Sequence, residues 1–222
     1  MYKIHNSLNP NLWQNKTLKP NIKSHLVNIA TQFYKTLKIG TKLEDILLTG
    51  SSANFNYNES SDIDLHLLVD FSKIDDNEEL VKNYVNALKS KWNDSHDIRI
   101  GNHPVEVYIQ DVNEVNRSQA VYSLTKNTWV KKPKIEDIQI DKATILKKYK
   151  EYVTFIRAAI KEQDLDKLKR LIKRLYEMRE AGLSKSGEYS TENLVFKLLR
   201  STGYVNQLKD AINNNIDKNL IK

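Results

Sequence analysis

Residues 46–70 read Ile-Leu-Leu-Thr-Gly-Ser-Ser-Ala-Asn-Phe-Asn-Tyr-Asn-Glu-Ser-Ser-Asp-Ile-Asp-Leu-His-Leu-Leu-Val-Asp, and the rest of the chain is read outward from them. An apolar run ends in Gly50-Ser51, a polar loop follows, and a second apolar run carries Asp62 and Asp64. The pattern predicts a strand over about 45–49, a tight turn, and a second strand over about 62–69. Successive strand side chains point to opposite faces. Asp62 and Asp64 therefore share one face, and Ile63 and Leu65 share the other, toward a core. Two carboxylates on one strand repel each other unless a cation lies between them. A hard divalent ion suits the pair, because it takes a few carboxylate oxygens and leaves room for phosphates and water. Glycine at the strand end lets backbone N–H groups and a hydroxyl approach an anion closely.

Upstream, Ile22, Leu26, Ile29, Phe33 and Leu37 recur at helical spacing, with Pro20 at a first-turn position and Gly40 as the stop. Residues 1–20 read as irregular, with Trp13 packed onto the body. Downstream, Asp75-Asp76 with Glu78 and Glu79 open a helix whose buried face is Val81, Val85, Leu88 and Trp92. Two alternating runs around Gly101-Asn102-His103-Pro104 then read as a hairpin. On its second strand Glu106, Tyr108 and Gln110 share a face. Glu106 is the natural third carboxylate, Asp97 is its competitor, and a pairing of Glu106 with Arg99 across the hairpin is the structural alternative.

Residues 119–126 read as a short helix in a connecting region. Ser123 and Lys126 are candidate phosphate contacts there, and Tyr122 or Trp129 a platform for a base. From Asp141 the apolar spacing predicts four helices without strands. The second is opened by Asp164, ended by Gly182 and rich in Lys and Arg; the last frays into Asn213–Asn215. The expected organisation is an α/β domain over 1–140, a small mixed sheet flanked by helices, and an all-helical domain over 141–222.

The 222 residues hold 40% hydrophobic and 28% charged side chains and no cysteine, which excludes disulfides and thiolate metal sites. No apolar run approaches the ~20 residues of a spanning helix, and Met1–Asn6 shows no signal region, so the expectation is a cytoplasmic protein that meets no membrane. The net charge of +7 favours polyanionic partners. The five histidines make no zinc spacing; His66 shares the face of Asp62 and Asp64. P-loop, dinucleotide and nucleophile-elbow glycine motifs are absent from the sequence.

Gly50-Ser51, with Asp62-Ile63-Asp64 beginning eleven positions after Ser51, resembles the signature of nucleotidyltransferases with the DNA polymerase β-like fold. The resemblance covers about residues 20–110. The whole chain is also similar to uncharacterised nucleotidyltransferases of large tailed bacteriophages, through Leu-Thr-Gly-Ser at 48–51, Ser-Asp-Ile-Asp-Leu-His at 61–66, Val-Glu-Val-Tyr-Ile-Gln-Asp at 105–111 and Glu-Asn-Leu-Val-Phe-Lys at 192–197. That likeness would place the protein in a host cytoplasm.

The resemblance implies that Gly50 and Ser51 hold the triphosphate of an NTP, ATP foremost. It implies that Asp62, Asp64 and Glu106 bind two Mg²⁺ (or Mn²⁺) ions, and that the segment after Glu106, with Tyr122, Ser123 and Lys126, lines the nucleotide site. The family's third acid is usually Asp, and its minimal members carry Gly-Ser-x-Ala-Arg-Gly where this chain has Gly-Ser-Ser-Ala-Asn. Three functions follow as expectations: transfer of an NMP to an RNA or tRNA end or a protein side chain, transfer to a small antibiotic-like molecule, or an inactive fold that binds nucleotide or protein.

Overall fold

The computed structural model describes residues 4–59, 61–116, 118–135 and 140–220. It is a mixed α/β structure that divides into two compact units, Met1–Glu136 and Asp137–Lys222. Residues 136–139, at the join, lie outside the described residues, as do the first three of the hexapeptide read for a signal.

The first unit opens with two short strands, β1 (Trp13–Gln14) and β2 (Thr17–Leu18), paired as a hairpin. Its turn holds Asn15 and Lys16 at φ of 49° and 61°. This corrects the irregular reading of residues 1–20. Paired positive φ values match the right-handed twist of a hairpin, but Asn-Lys lacks the usual glycine. Helix α1 (Pro20–Leu37) starts on its proline and buries Ile22, Leu26, Ala30, Phe33 and Leu37. It ends at Lys38 in the left-handed region, two residues before the expected stop at Gly40.

Strand β3 (Leu43–Thr49) runs into Gly50 and a short 3₁₀ turn at Ser51–Ala53, and β4 (Ile63–Val69) returns antiparallel to it. Helix α2 (Glu78–Ser95), capped by Asn77, then crosses over, and the hairpin of β5 (Arg99–Ile100) and β6 (His103–Asp111) follows. Strand β6 pairs parallel to β4. The region read as a short helix at 119–126 is instead a hairpin of β7 (Val121–Ser123) and β8 (Thr128–Lys131). The open edge of β3 decides this, because β7 satisfies its backbone groups as a strand and a helix would not. The six-stranded mixed sheet has the order β5-β6-β4-β3-β7-β8.

Register separates the two faces of the sheet. Ile63, Leu65 and Leu67 of β4 align with Val105, Val107 and Ile109 of β6, and Leu65 aligns with Leu48 of β3. This face packs against α1 and α2 and forms the main hydrophobic core. The opposite face carries Asp64 and His66 of β4 with Glu106 and Tyr108 of β6.

The second unit is helical among its described residues: α3 (Lys142–Glu162), α4 (Leu165–Ser186), α5 (Thr191–Ser201) and α6 (Tyr204–Leu220). Asp141 and Asp164 cap α3 and α4 by accepting from the backbone N–H groups of Thr144 and Lys167. Two expected ends are corrected. Helix α4 runs through Gly182, which is needed for packing: a Cβ there would lie 2.6 Å from Ser190 Oγ and 2.7 Å from Glu192 Cβ. Helix α6 continues through Asn213–Asn215 despite the low helix propensity of asparagine: the helix as a whole packs on α3, α4 and α5, and the Asn215 side-chain amide donates to the Gln163 carbonyl at 2.5 Å.

Candidate functional site

The site is built where β3 turns toward β4. Gly50 has φ 71° and ψ −161°, a conformation that belongs almost wholly to glycine. Its Cα faces the Asp64 side chain so closely that a Cβ would stand 1.9 Å from Asp64 Oδ2 and 3.0 Å from Cγ. The glycine thus serves the carboxylate as well as the turn: no other residue leaves that oxygen where it is.

Laterally, Thr49, Asp64 and Glu106 are register partners on three adjacent strands, so the Asp64 and Glu106 side chains leave the same face. Asp62 lies just before β4, two residues from Asp64. Tyr108 donates its hydroxyl to Glu106 Oε2 at 2.5 Å, and Lys89 of α2 sits 5.0 Å from the centre of the Tyr108 ring. Beyond β5, the outer edge of β6 is covered by Asn93 of α2. Its side-chain amide donates to the Val107 carbonyl at 3.0 Å and accepts from the Val107 N–H at 3.1 Å. A side chain thereby replaces a missing strand. The competitor Asp97 is exposed and pairs with Arg99 at 2.9 Å, while Glu106 accepts from Tyr108, so the alternative Arg99–Glu106 pairing is not the one formed.

The loop between the turn and Asp62 is braced by several side chains, among them Ser52, Asn9 and His103, to which the sequence reading gave no part in the site. Ser52, fully buried, donates to the Asp62 carbonyl at 2.6 Å, and the Trp13 indole donates to the Ser52 carbonyl at 2.8 Å. Ser51 donates its hydroxyl to Ser61 Oγ at 3.0 Å. Buried His103 sits between Ser61 and Asn9, with Nδ1 2.8 Å from the Ser61 carbonyl and Nε2 3.0 Å from Asn9 Nδ2. A carbonyl only accepts and an amide nitrogen only donates, so His103 is the neutral tautomer with its proton on Nδ1. The N-terminal segment is thus part of the site's support, and no local sequence signal announces it.

His66 stacks on Tyr108 with ring centres 4.9 Å apart, and its Nδ1 lies 2.9 Å from Gln110 Oε1. Gln110 Nε2 donates to the Glu114 carbonyl, which orients the amide and leaves the proton of His66 on Nδ1. Burial pulls the His66 pKa below its ordinary 6.5, against the opposing effects of the Gln110 hydrogen bond and the Glu114 charge. Beside this pair an open cleft of about 700 Å³ is lined by sheet, α2 and loop residues including Lys82, Asn86, Tyr108, Glu114 and Ser118.

The segment expected to line a nucleotide site has other partners. Tyr122 is 1% exposed, on the core face of the sheet opposite the carboxylates, packed against Trp13 and Trp129. Burial pushes its phenol pKa up. Trp129 stacks on Trp13 with ring centres 4.8 Å apart. Ser123 does lie on the carboxylate face, but its buried hydroxyl sits 2.8 and 2.9 Å from the two oxygens of Asp45. Lys126 donates its backbone N–H to Ser123 Oγ, and its ammonium stands 3.8 Å from Asp45. Asp45, read from sequence as no more than a strand start, thus gathers both Ser123 and Lys126.

As donors, Asp62, Asp64 and Glu106 suit a hard cation in chemical type, and the glycine cradle fixes one oxygen of Asp64. Among the described residues, no group of three or more His, Cys, Asp or Glu is placed to hold a metal by itself. Mg²⁺ asks for less, since it is usually bound through one or two carboxylates together with substrate phosphates and water. Among the described residues no helix is long and apolar enough to cross a membrane. The chain matches no family model, no curated protein and no solved structure.

Proposed function

We propose that the first unit is a nucleotidyltransferase that moves an NMP from an NTP, ATP foremost, to an acceptor hydroxyl. The observation that carries the reading is the packing of Asp64 Oδ2 on Gly50, with Glu106 in register beside Asp64. Gly50 and Ser51 would receive the β- and γ-phosphates at the turn. Asp62, Asp64 and Glu106 would hold Mg²⁺ (or Mn²⁺) together with triphosphate oxygens. When bound, the metal supplies charge neutralisation at the phosphates and at the attacking and leaving oxygens.

The chain's own contribution is placement. With Oε2 held by Tyr108, Glu106 presents Oε1 to take the proton of the acceptor hydroxyl. The hydroxyl oxygen forms its bond to the α-phosphorus, the bond from that phosphorus to the bridging oxygen breaks, and pyrophosphate leaves. A charge asymmetry supports a polyanionic substrate: residues 137–222 hold 18 of the 35 Lys and Arg but 12 of the 28 Asp and Glu.

The test is incubation with each α-labelled NTP and Mg²⁺ or Mn²⁺, offering total RNA, cell extract or small polyols as acceptors. Label transfer with pyrophosphate release, abolished in Asp62→Ala, is the expected result. Absence of both from every mixture would overturn the reading, and NTP binding that persists without transfer would favour an inactive nucleotide-binding fold.

A further inference from the structure

Lys89 of α2 places a cation against an aromatic ring and against no carboxylate. It precedes Asn93 by four residues, so the two share one side of the helix. Asn93 lies along the edge of β6 at Val107. Lys89 accordingly meets the next residue, Tyr108, with its ammonium 5.0 Å from the ring centre. This partly buried side chain makes no ion pair among the described residues, although Glu106 is only two positions from Tyr108 on the same face.

Tyr108 is held from both sides. His66, its register partner on β4, stacks on it with ring centres 4.9 Å apart, and Lys89 reaches it from the helix at the other edge of β6. Burial, aided by the Lys89 charge, lowers the His66 pKa, so the Tyr108 ring meets one cation rather than two. Clamped in this way, the phenol donates to Glu106 Oε2 at 2.5 Å. A cation over the ring draws electron density from the phenol, which makes its O–H a stronger donor to a carboxylate. A direct Lys89–Glu106 pair would take up an oxygen that a metal or an acceptor proton needs. With the ring interposed, the cation acts on Glu106 while Oε1 stays open.

We propose that Lys89 is a positioning residue for the transfer reaction: through the Tyr108 ring it fixes the Glu106 carboxylate with Oε2 bound and Oε1 presented. That role rests on the transferase reading; the clamp itself does not. Lys89 touches neither nucleotide nor acceptor, so its removal is felt in turnover rather than in NTP binding.

The experiment uses the full chain carrying ¹³Cζ-tyrosine, with the Tyr108 resonance assigned by its loss in Tyr108→Phe. Lys89→Met keeps the apolar stem of the side chain and removes the charge, whereas Lys89→Arg keeps the charge. The Tyr108 resonance is expected to move toward that of a weakly bonded phenol in Lys89→Met and to return in Lys89→Arg. In the labelled-NTP assay kcat falls by about two- to fivefold in Lys89→Met, the worth of an exposed cation–π contact. The KM for NTP is unchanged, and Lys89→Arg behaves as the wild type. Tyr108→Phe loses about ten- to a hundredfold, the worth of a hydrogen bond to a charged group, and Lys89→Met added to it costs nothing more. An unmoved Tyr108 resonance in Lys89→Met overturns the inference whether or not transfer is seen. So does an undiminished loss from Lys89→Met in the Tyr108→Phe background, because Lys89 would then act without the phenol. A resonance that responds in a protein transferring no label supports the Lys89–Tyr108–Glu106 clamp and removes the transferase reading.

Discussion

Replacing Gly50 by alanine tests the geometry on which the site depends. The new methyl would stand 1.9 Å from Asp64 Oδ2, whereas an ordinary contact begins near 3.4 Å. The carboxylate must retreat by about 1.5 Å, and a displacement of ~1 Å at a reacting centre costs about 10²-fold in rate. Separately, an L-residue at φ 71° and ψ −161° carries strain of roughly 1–3 kcal/mol. For a chain of this size that corresponds to a Tm lower by about 2–12 °C.

The assay is a thermodynamic cycle of Gly50→Ala, Asp64→Ala and the double variant, with Tm and label transfer measured on each. If the collision with the carboxylate is real, Gly50→Ala in the Asp64→Ala background costs only the backbone strain, and the two changes couple. Additive losses in Tm would show that the methyl never meets Asp64. A Gly50→Ala protein with native activity and Tm would refute the geometric account outright.

Ser123→Ala is expected to lower the Tm while leaving the NTP affinity unchanged, because the hydroxyl serves buried Asp45; weakened NTP binding would return Ser123 to the phosphate site. Removing His103 by His103→Ala leaves buried partners at Ser61 and Asn9, so a loss of about 1–3 kcal/mol in denaturant unfolding is expected, and no change would show the bridge to be idle. Gly182→Ala should lower the Tm despite the better helix propensity of alanine, since its methyl meets Ser190 and Glu192; a rise would mean that α5 can shift aside. The cap hydrogen bonds hold the carboxyls of Asp141 and Asp164 below their ordinary pKa of 3.8. With the folded value depressed, their stabilisation is complete above the unfolded value and disappears as pH falls through the folded one. Thermal unfolding of the Asp141→Asn/Asp164→Asn protein should accordingly depend less on pH below about 4 than that of the wild type.

Local pattern was enough for the elements whose neighbours in sequence are also their neighbours in space. Pro20 and the helical spacing of Ile22, Leu26 and Phe33 specify α1, and Asp141 and Asp164 announce α3 and α4, because a helix satisfies its own backbone and caps it within three residues. Period-two alternation put Asp64 on the face opposite Leu65 and Glu106 opposite Val107, which is the part of the candidate site legible without a structure.

Tertiary structure decided the rest. Residues 119–126 are a hairpin because the edge of β3 required a partner, which no local propensity could announce. Tyr122 and Ser123 went to the core and to Asp45 for the same reason, since pairing with β3 set which face each would occupy. Gly182 stays inside a helix because α5 lies against it. The alignment of Glu106 beside Asp64, rather than Asp97, came from a parallel pairing between strands joined by a crossover helix. A strand's alternation says which side chains share a face, but only the register with its neighbour says which of them meet.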